Sequence, residues 1–217
     1  MTTVDLQKRR KRKPKNSSTN ELLFPAAMWL SSRLLIWIFM LGIAPLLQTT
    51  ATGTGATFGL GVFDGVDSIH YRNIATTGYE YINDGEMHNK VAFFPLFPLT
   101  IRFLMKLGLS FEFAGILVSN LAFLGAVYCV YFWVKSYYSD KEARWATAVL
   151  AWSPLSIFSS VIYPEGLYLF LTAATMQAFD KNRYALTAFF GALATTTNPI
   201  GLALTPALII ASWKQRK

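Results

Sequence analysis

Residues 66–79 read VDSIHYRNIATTGY and lie in the only long polar segment between the apolar runs of this chain. That segment, residues 48–90, holds five of the twelve acidic residues and both histidines. Apolar runs of about 20 residues or more flank it, and each is long enough to cross a hydrocarbon core of about 30 Å. The pattern therefore predicts an all-α membrane protein whose ionisable residues gather at one edge of the bilayer.

The composition is typical of a membrane protein. Of the 217 residues, 53% are hydrophobic and 15% are charged, which is too apolar for an ordinary soluble domain. The formal net charge is +8, and seven of the twenty Lys and Arg residues lie at positions 8–15, just before the first apolar run. Because the basic flank of a span stays in the cytoplasm, we predict that residues 1–20 form a disordered cytoplasmic tail, with no nucleic acid as partner.

The apolar runs predict a polytopic helical bundle over residues 21–217. The first run, residues 22–47, is longer than a signal-peptide core, so we predict a retained anchor. The later runs occupy residues 113–134, 145–163, 167–179 and 184–213, and Pro154 interrupts the second of them. Basic turns at residues 135–144 and 180–183 belong on the cytoplasmic side. Residues 48–90 then form the first extracytoplasmic loop, which we expect to carry short helices at the membrane surface.

Three places leave alternatives open. Arg33 lies deep in the first run, where it is either functional or reaches the interface along its own aliphatic chain, and we favour the second. Residues 92–109 contain two prolines that block a smooth helix entry. We predict a helix in the outer interface there, and the alternative is a Pro-kinked crossing helix that would invert every later loop. For residues 184–213 we favour two short helices meeting at Asn198–Pro199 over one kinked helix.

The polar stretch itself has helical spacing. Asp67, His70, Tyr71 and Ile74 fall at i, i+3, i+4 and i+7, which places them on one face of a short helix. An Asp followed by a Ser suits the start of such a helix, and Gly78 suits its end. Asp67 is therefore either a helix cap or a catalytic base, and the spacing alone favours neither.

The predicted outer face brings together residues capable of acid–base and phosphate chemistry. They are Asp64, Asp67, His70, Arg72, Glu80, His88, Lys90, Arg102, Lys106, Glu165 and Asn198. Carboxylates near a dry boundary can act as general bases, and cations there can hold a phosphate, with Arg the better bidentate partner. This combination suits transfer of a group from a lipid-linked phosphate to a hydroxyl. For Glu80, Asp84 and Glu86 we favour a solvated loop instead.

Other kinds of site lack their sequence pattern. His70 and His88 have no close-spaced metal partners, and Cys129 is the only cysteine, so we predict no metal site and no disulfide. The chain has no Gly-rich phosphate loop and no dinucleotide fingerprint. We therefore expect neither a cofactor nor a soluble nucleotide-sugar donor.

Three stretches of the chain resemble a known family. VDSIHYRNIATTGY followed by VAFFPLFPLTIRF is similar to the WD-x-x-x-Y-x-x-IA-x-x-GY … AFFPLYP pattern of the PIG-V family, which comprises the GPI mannosyltransferase 2 group and its prokaryotic relatives. SPLSIFSSVIYPEGLYLFL resembles the family's later P-x-S-IF … Y-x-E-x-L stretch. The likeness runs in order from about Arg33 to Pro206 and so covers most of the chain.

The resemblance implies a fold and a chemistry. It implies a GT-C glycosyltransferase, a multi-pass helical enzyme that takes sugars from polyprenyl phosphates and works on the extracytoplasmic or lumenal side. Its membrane would be the plasma membrane in a prokaryote and the endoplasmic reticulum in a eukaryote. Such enzymes carry an Asp or Glu in the first outer loop. Asp67 aligns with that acid because it precedes Ile74 by seven residues, and Asp64 is the second choice.

The sequence departs from the family pattern in three ways. Val66 replaces the Trp of the pattern. Asn198 stands where relatives often have an Arg before Pro-x-Gly, which puts a phosphate contact there in doubt. Family members are also typically longer, which leaves open whether this chain is a complete or a partial enzyme.

Our leading hypothesis is an inverting mannosyltransferase embedded in the membrane. Asp67 would deprotonate an acceptor hydroxyl on a glycan or lipid, and a cation would hold the departing lipid phosphate. The cations are Arg72, Arg102 and Lys106, and the other predicted substrate-binding residues are His70, Tyr71, Glu165 and Asn198. The alternative is a non-catalytic membrane protein, a transporter-like or scaffold relative. A transporter would place its charges near the bilayer midplane on broken helices, whereas most charges here lie in the outer loop.

Overall fold

The computed structural model describes residues 19–47, 58–79 and 92–216, and these ranges contain helices and connecting turns but no strand. The predicted basic tail up to residue 18 and the part of the polar loop that holds Glu80, Asp84, Glu86, His88 and Lys90 lie outside the described residues. The all-α prediction is confirmed for the described ranges.

Eight α-helices lie within the described residues. They are α1 (Thr19–Ile38), α2 (Ser68–Thr76), α3 (Leu96–Lys106), α4 (Phe111–Tyr137), α5 (Asp140–Trp152), α6 (Glu165–Asp180), α7 (Tyr184–Thr197) and α8 (Leu204–Arg216). A π-helical turn, Phe39–Ile43, extends α1, and 3-10 turns occupy Leu60–Phe63, Pro154–Ser159 and Pro199–Ala203.

Two helical runs are long and apolar enough to cross a membrane. They are Asn20–Leu47, with 28 residues, and Phe111–Tyr137, with 27 residues. At 1.5 Å per residue each is about 40 Å long, which exceeds a hydrocarbon core of about 30 Å. Both coincide with spans predicted from the sequence, and they indicate that the chain associates with a membrane.

Three other segments contain prolines that limit or interrupt their helices. The predicted interruption of the run at 145–163 by Pro154 is confirmed: α5 ends at Trp152, Ser153 is the residue between, and Pro154 begins a 3-10 turn. With 11 residues, α3 reaches only about 16 Å, which agrees with the prediction that this segment does not cross by itself. The predicted break at Asn198–Pro199 is confirmed, since α7 ends at Thr197 and a 3-10 turn separates it from α8.

α4 is the central helix of the bundle. α6 makes its most extensive contact with α4, and α7 packs in turn on α6. Small residues allow the close approach: a Cβ on Gly166 would lie 2.4 Å from the backbone oxygen of Ser119, and one on Gly125 would lie 2.8 Å from the ring of Phe170. Packing through small residues is typical of helices in membranes.

Gly166→Ala is expected to lower the free energy of unfolding by about 1–3 kcal/mol, the usual cost of forcing extra atoms into a tight contact. Thermal unfolding of the purified protein in detergent measures the loss. Gly191→Ala is the matched control, because its added Cβ would meet Thr175 at an ordinary 3.6 Å. A Gly166→Ala protein as stable as the wild type would contradict this α4–α6 contact.

One buried apolar cluster joins the elements at the start of α4. It is formed by Val62, Phe63, Tyr71, Ala75, Phe97, Ile101, Phe111, Ala114, Val118, Val161 and Ile162. These residues come from the turn at Leu60–Phe63, from α2 and α3, from the start of α4 and from the turn that precedes α6. The cluster therefore holds the polar stretch at 66–79 against the end of the bundle.

The opposite end of α4 carries an ion-pair network. Lys135 bonds to Glu21 at 2.8 Å and to Asp140 at 3.1 Å, and Arg144 bonds to Asp140 at 2.7 Å. These contacts join the ends of α1, α4 and α5 and hold the pKa of Asp140 at about 2, well below its usual value, with the hydrogen bond from Tyr131 as the largest cause. The network includes the cluster at 135–144 that was predicted to be cytoplasmic.

Arg33 is not where the sequence predicted it. Its side chain is 0% exposed and lies in the interior of the bundle, so the favoured interpretation, in which it reaches the interface, is wrong. Ser156 and Ser160, which follow it by more than 120 residues, supply hydrogen-bond acceptors at depth. An arginine with such partners does not need to reach water.

Candidate active site

α2 begins and ends where the sequence predicted. Its start is fixed by Ser68, whose backbone N–H and hydroxyl both donate to the carbonyl of Gly65. Its end is fixed by Gly78, which has a φ of 91° and donates its N–H to the carbonyls of Asn73 and Ile74. A glycine is suited to that left-handed conformation because it has no Cβ.

Asp67 occupies the N-cap position of α2 without capping it. Its side chain makes no cap hydrogen bond and is exposed. Its backbone N–H lies 3.4 Å from the hydroxyl of Tyr163, to which it donates. The alternative in which the Asp67 carboxylate serves as a helix cap is therefore wrong in this structure, and the carboxylate is free for another role.

Glu165 is the second carboxyl group at this point of the molecule. It is the first residue of α6 and follows Tyr163 by two positions, so the contact between Tyr163 and Asp67 brings the two acids near each other. Its Oε2 atom is buried and has no hydrogen-bond partner. Burial raises the pKa of Glu165, and the negative charge of Asp67 raises it further. One acid is thus exposed and one partly desolvated, a pairing that can separate a base from a protonated partner.

Aromatic rings surround the two acids. Tyr71 is buried, and burial followed by the charges of Glu165 and Asp67 raises the pKa of its phenol. Its ring meets Phe93 edge-on at 5.2 Å and Phe97 edge-on at 5.2 Å, while His70 stacks on Phe93 at 4.5 Å. Since Phe93 and Phe97 belong to AFFPLFP, two of the three sequence stretches that carried the family resemblance meet in space.

A close approach also joins the polar stretch to the turn before α6. A Cβ on Gly65 would lie 2.6 Å from the phenol ring of Tyr163. Only a residue without a side chain therefore lets this ring pack so close to the backbone. Phe158 stacks on Tyr163, with the two ring centres 5.9 Å apart and the rings nearly parallel. Tyr163 was not among the predicted site residues, although its position beside Pro164–Glu165 was a signal.

Asp64, the second choice for the base, is held in an ion pair. Arg72 bonds to it at 2.7 Å and to Glu112 at 2.7 Å, and the guanidinium also lies 4.3 Å from the ring centre of Phe111. Burial raises the pKa of Asp64 although Arg72 acts in the opposite direction. Asp64 is thus less available than Asp67, and Arg72 would have to leave two carboxylates to hold a phosphate.

Arg102 lies towards the other end of α2, and Lys106 follows it by four residues at the end of α3. The Nη1 atom of Arg102 is 3.9 Å from where a Cβ on Gly78 would stand, so Arg102 flanks the C-terminal end of the helix and Asp67 its N-terminal end. α2 is about 13 Å long, which leaves room for a sugar phosphate between them. Neither Arg102 nor Lys106 pairs with an acid in the part of the chain that the structure describes. Lys106 is the more exposed of the two.

Asn198 has a structural bond. Its Oδ1 accepts from the N–H of Ile200 at 3.0 Å and caps the 3-10 turn at Pro199–Ala203. Among the described residues this side chain bonds to Ile200 and not to the acids or aromatic rings described above, so its contact with substrate stays a prediction. Within the described ranges, no group of three His, Cys, Asp or Glu residues has a metal-binding arrangement.

Comparison with known proteins gives one match. A family model described as Mannosyltransferase (PIG-V) matches residues 58–214, which is more than two thirds of the chain. The matched region begins just before the polar stretch and includes both acids, the aromatic rings and Arg102. Neither the curated proteins nor the solved structures yield a match.

Proposed function

Because the chain belongs to the PIG-V mannosyltransferase family, we propose that it transfers mannose from a polyprenyl-phosphate donor to an acceptor hydroxyl. Membership supports a glycosyltransferase that uses a sugar donor and an acceptor. The observation that carries the proposal further concerns two carboxyl groups. The carboxylate of Asp67 makes no helix-cap hydrogen bond, and it lies beside the partly desolvated carboxyl group of Glu165. The two acids stand among aromatic rings at one end of the bundle.

In the proposed reaction Asp67 is the general base. It takes the proton of the acceptor hydroxyl as that oxygen bonds to the anomeric carbon of mannose. The bond from the anomeric carbon to the phosphate oxygen breaks, and polyprenyl phosphate leaves with the electron pair. Attack opposite the leaving group inverts the configuration at that carbon. An exposed carboxylate that makes no internal bond suits this role, because no native contact competes for the proton.

Glu165 has a different role in the proposal. Its raised pKa favours the protonated form, which can donate a hydrogen bond to a sugar hydroxyl. His70, Tyr71 and Tyr163 would complete the sugar pocket, because polar groups among aromatic rings are the usual lining of a small-molecule site. Asp64 and Asn198 are then supporting residues, the first through its ion pair with Arg72 and the second as a cap.

We assign the phosphate of the donor to Arg102. It is half-buried next to Gly78, and it makes no ion pair with a described acid. A guanidinium can bind phosphate oxygens in bidentate fashion and stabilise the charge that develops on the leaving group. Lys106, four residues further on α3, would add to the positive potential. Arg72 is the weaker candidate because its two carboxylate partners already neutralise it.

The proposed enzyme is a multi-pass bundle of the GT-C type, with the site on the extracytoplasmic or lumenal side and the N-terminus in the cytoplasm. Glu112 and Lys135 support this sidedness because they mark opposite ends of α4, about 35 Å apart along its axis. Glu112 pairs with the site residue Arg72, and Lys135 belongs to the cluster with Arg144. Basic clusters favour the cytoplasmic side.

Single cysteines test this sidedness in a Cys129→Ala background. Val66→Cys, at a side chain that is 87% exposed, should react with a membrane-impermeant maleimide added to intact cells. Lys141→Cys, beside the ion-pair network, should react only after the cells are opened. Reaction of Lys141→Cys in intact cells, or of both variants, would show that the site end does not face outward.

The activity is tested with labelled mannosyl polyprenyl phosphate in membranes that carry the chain. We expect label to pass to an acceptor in these membranes and not in membranes that carry the Asp67→Asn variant. Equal transfer by both would remove the proposed mechanism. If the protein instead uses a nucleoside-diphosphate mannose as donor equally well, the proposal of a lipid-linked donor is contradicted.

A further inference from the structure

We propose that Arg33 is a positioning residue, whose guanidinium holds the turn that sets Tyr163 and Glu165 against Asp67. The proposal concerns a residue of α1, which lies outside the matched family region. Its catalytic consequence rests on the proposed function, but the contacts themselves do not depend on it.

The guanidinium donates three hydrogen bonds to the turn that follows α5, and we call this set of contacts the clamp. Nη1 donates to the carbonyl of Ser156 at 3.0 Å and to the hydroxyl of Ser160 at 2.7 Å, and Nη2 donates to the hydroxyl of Ser156 at 2.9 Å. The Nε atom makes a longer contact of 3.4 Å with Ser32. The planar group also lies 4.5 Å from the ring centre of Phe123 on α4.

The burial of this cation needs an explanation. No carboxylate pairs with Arg33 within the described ranges, and a buried charge is costly unless hydrogen bonds compensate it. Four of its contacts do so, and three of them go to one short turn. Because these three hydrogen bonds are made in the interior, a displaced turn would leave a buried guanidinium unsatisfied, so the arginine constrains the geometry of the turn.

The clamped turn leads directly to the site. Ser160 is tied to α4 as well, because Asn120 donates to its carbonyl at 3.2 Å. Two residues later the N–H of Ile162 donates to the carbonyl of Phe63 at 3.1 Å, and the carbonyl of Tyr163 accepts from the hydroxyl of Ser119 at 3.0 Å.

At the end of this sequence of contacts lie the two acids. The hydroxyl of Tyr163 accepts from the N–H of Asp67, and Glu165 begins α6 two residues further on. The position of Glu165 relative to Asp67 thus depends on a turn that Arg33 fixes from the side of α1. Lysine cannot reproduce the clamp, because its compact ammonium lacks the planar fork that reaches two serines at once.

Amide hydrogen exchange measures this positioning without reference to activity. In Arg33→Lys we expect the segments at 60–67 and 157–163 to exchange about tenfold faster, the effect of losing a charge-assisted hydrogen bond. The segment at 167–179 in α6 should be unchanged. Ser32→Ala is the matched control: it removes the long Nε contact and a hydrogen bond to the carbonyl of Trp29 within α1, and it should alter neither segment.

The kinetic arm uses the same proteins. A displaced pair of acids should lower kcat for mannose transfer about tenfold and change KM for the donor by less, about threefold, because the proposed phosphate contact of Arg102 is kept and only the sugar contact of Glu165 is disturbed. Ser160→Ala should shift both measurements in the same direction by a smaller factor. It carries the test if Arg33→Lys does not fold.

The outcomes separate this inference from the proposed function. Unchanged exchange at 60–67 in folded Arg33→Lys and Ser160→Ala proteins would overturn the positioning role, as would faster exchange everywhere including α6. If the wild-type protein transfers no mannose, the proposed function fails, and the exchange measurements still decide whether Arg33 holds the turn.

Discussion

Asp67→Asn is expected to leave a folded protein that transfers mannose about 10²–10⁴-fold more slowly than the wild type, the usual contribution of a general base. Asparagine has nearly the same size, but it cannot accept the proton of the acceptor hydroxyl. The Asp67 side chain makes no cap hydrogen bond, so the free energy of unfolding should change by less than about 0.5 kcal/mol. The measurements are the initial rate of transfer and the thermal midpoint of the purified protein.

Asp64→Asn is the matched control for that substitution. It sits three residues earlier and loses an ion pair with Arg72, so we expect a modest loss of stability, about 1 kcal/mol or less for a partly exposed pair, and a rate within about tenfold of wild type. Normal transfer by Asp67→Asn together with loss of transfer in Asp64→Asn would show that Asp64 is the base. Normal transfer by both would remove the carboxylate mechanism.

Glu165→Leu is expected to lower kcat/KM by about 10²-fold, because the protonated carboxyl group that we propose as a donor to a sugar hydroxyl is replaced by an apolar group. Glu165→Gln should stay within about tenfold of wild type at neutral pH, since an amide keeps a hydrogen-bond donor in the same place. The comparison is made by steady-state kinetics on both variants. Equal rates for Glu165→Leu and wild type would leave Glu165 without a role in binding.

The raised pKa of Glu165 also predicts that the stability of the protein depends on pH. Folding raises the pKa of Glu165, so the folded state holds its proton more tightly than the unfolded state does. Stability from this group is complete below the ordinary pKa of a glutamate and is lost as the pH rises through the raised value. Glu165→Gln should therefore stabilise the protein relative to wild type more at pH 8 than at pH 4. The reverse order would contradict the desolvation of Glu165.

Local features of the candidate site could be predicted from the sequence. The bounds of α2 follow from an i, i+3, i+4, i+7 pattern that starts at Asp67, with Ser68 suited to the start of the helix and Gly78 to its end. The break at Asn198–Pro199 follows from the missing N–H of proline. Pattern and turn chemistry act over a few residues, so a single sequence contains all that is needed to recognise them.

Contacts between distant residues could not be predicted in this way. Arg72 lies 40 positions before Glu112 in the chain, and nothing local indicates that it binds two carboxylates instead of a phosphate. The same holds for Tyr163 and Asp67, which are 96 positions apart. The interruption of the run at 145–163 was predicted from Pro154, whereas the 3-10 turn that follows α5 was not, since an apolar run shows burial without specifying the backbone conformation.

The buried arginine of α1 also has a consequence for how the chain is made. Arg33 leaves the ribosome 123 residues before Ser156 and 127 residues before Ser160. At about 5–20 residues per second, the first helix therefore waits roughly 6–25 s for its partners. During that interval it carries an uncompensated charge that costs about 2.5–3.5 kcal/mol on scales of translocon insertion. The guanidinium of Arg33 thus gains its full set of hydrogen bonds only after the serine turn has been synthesised.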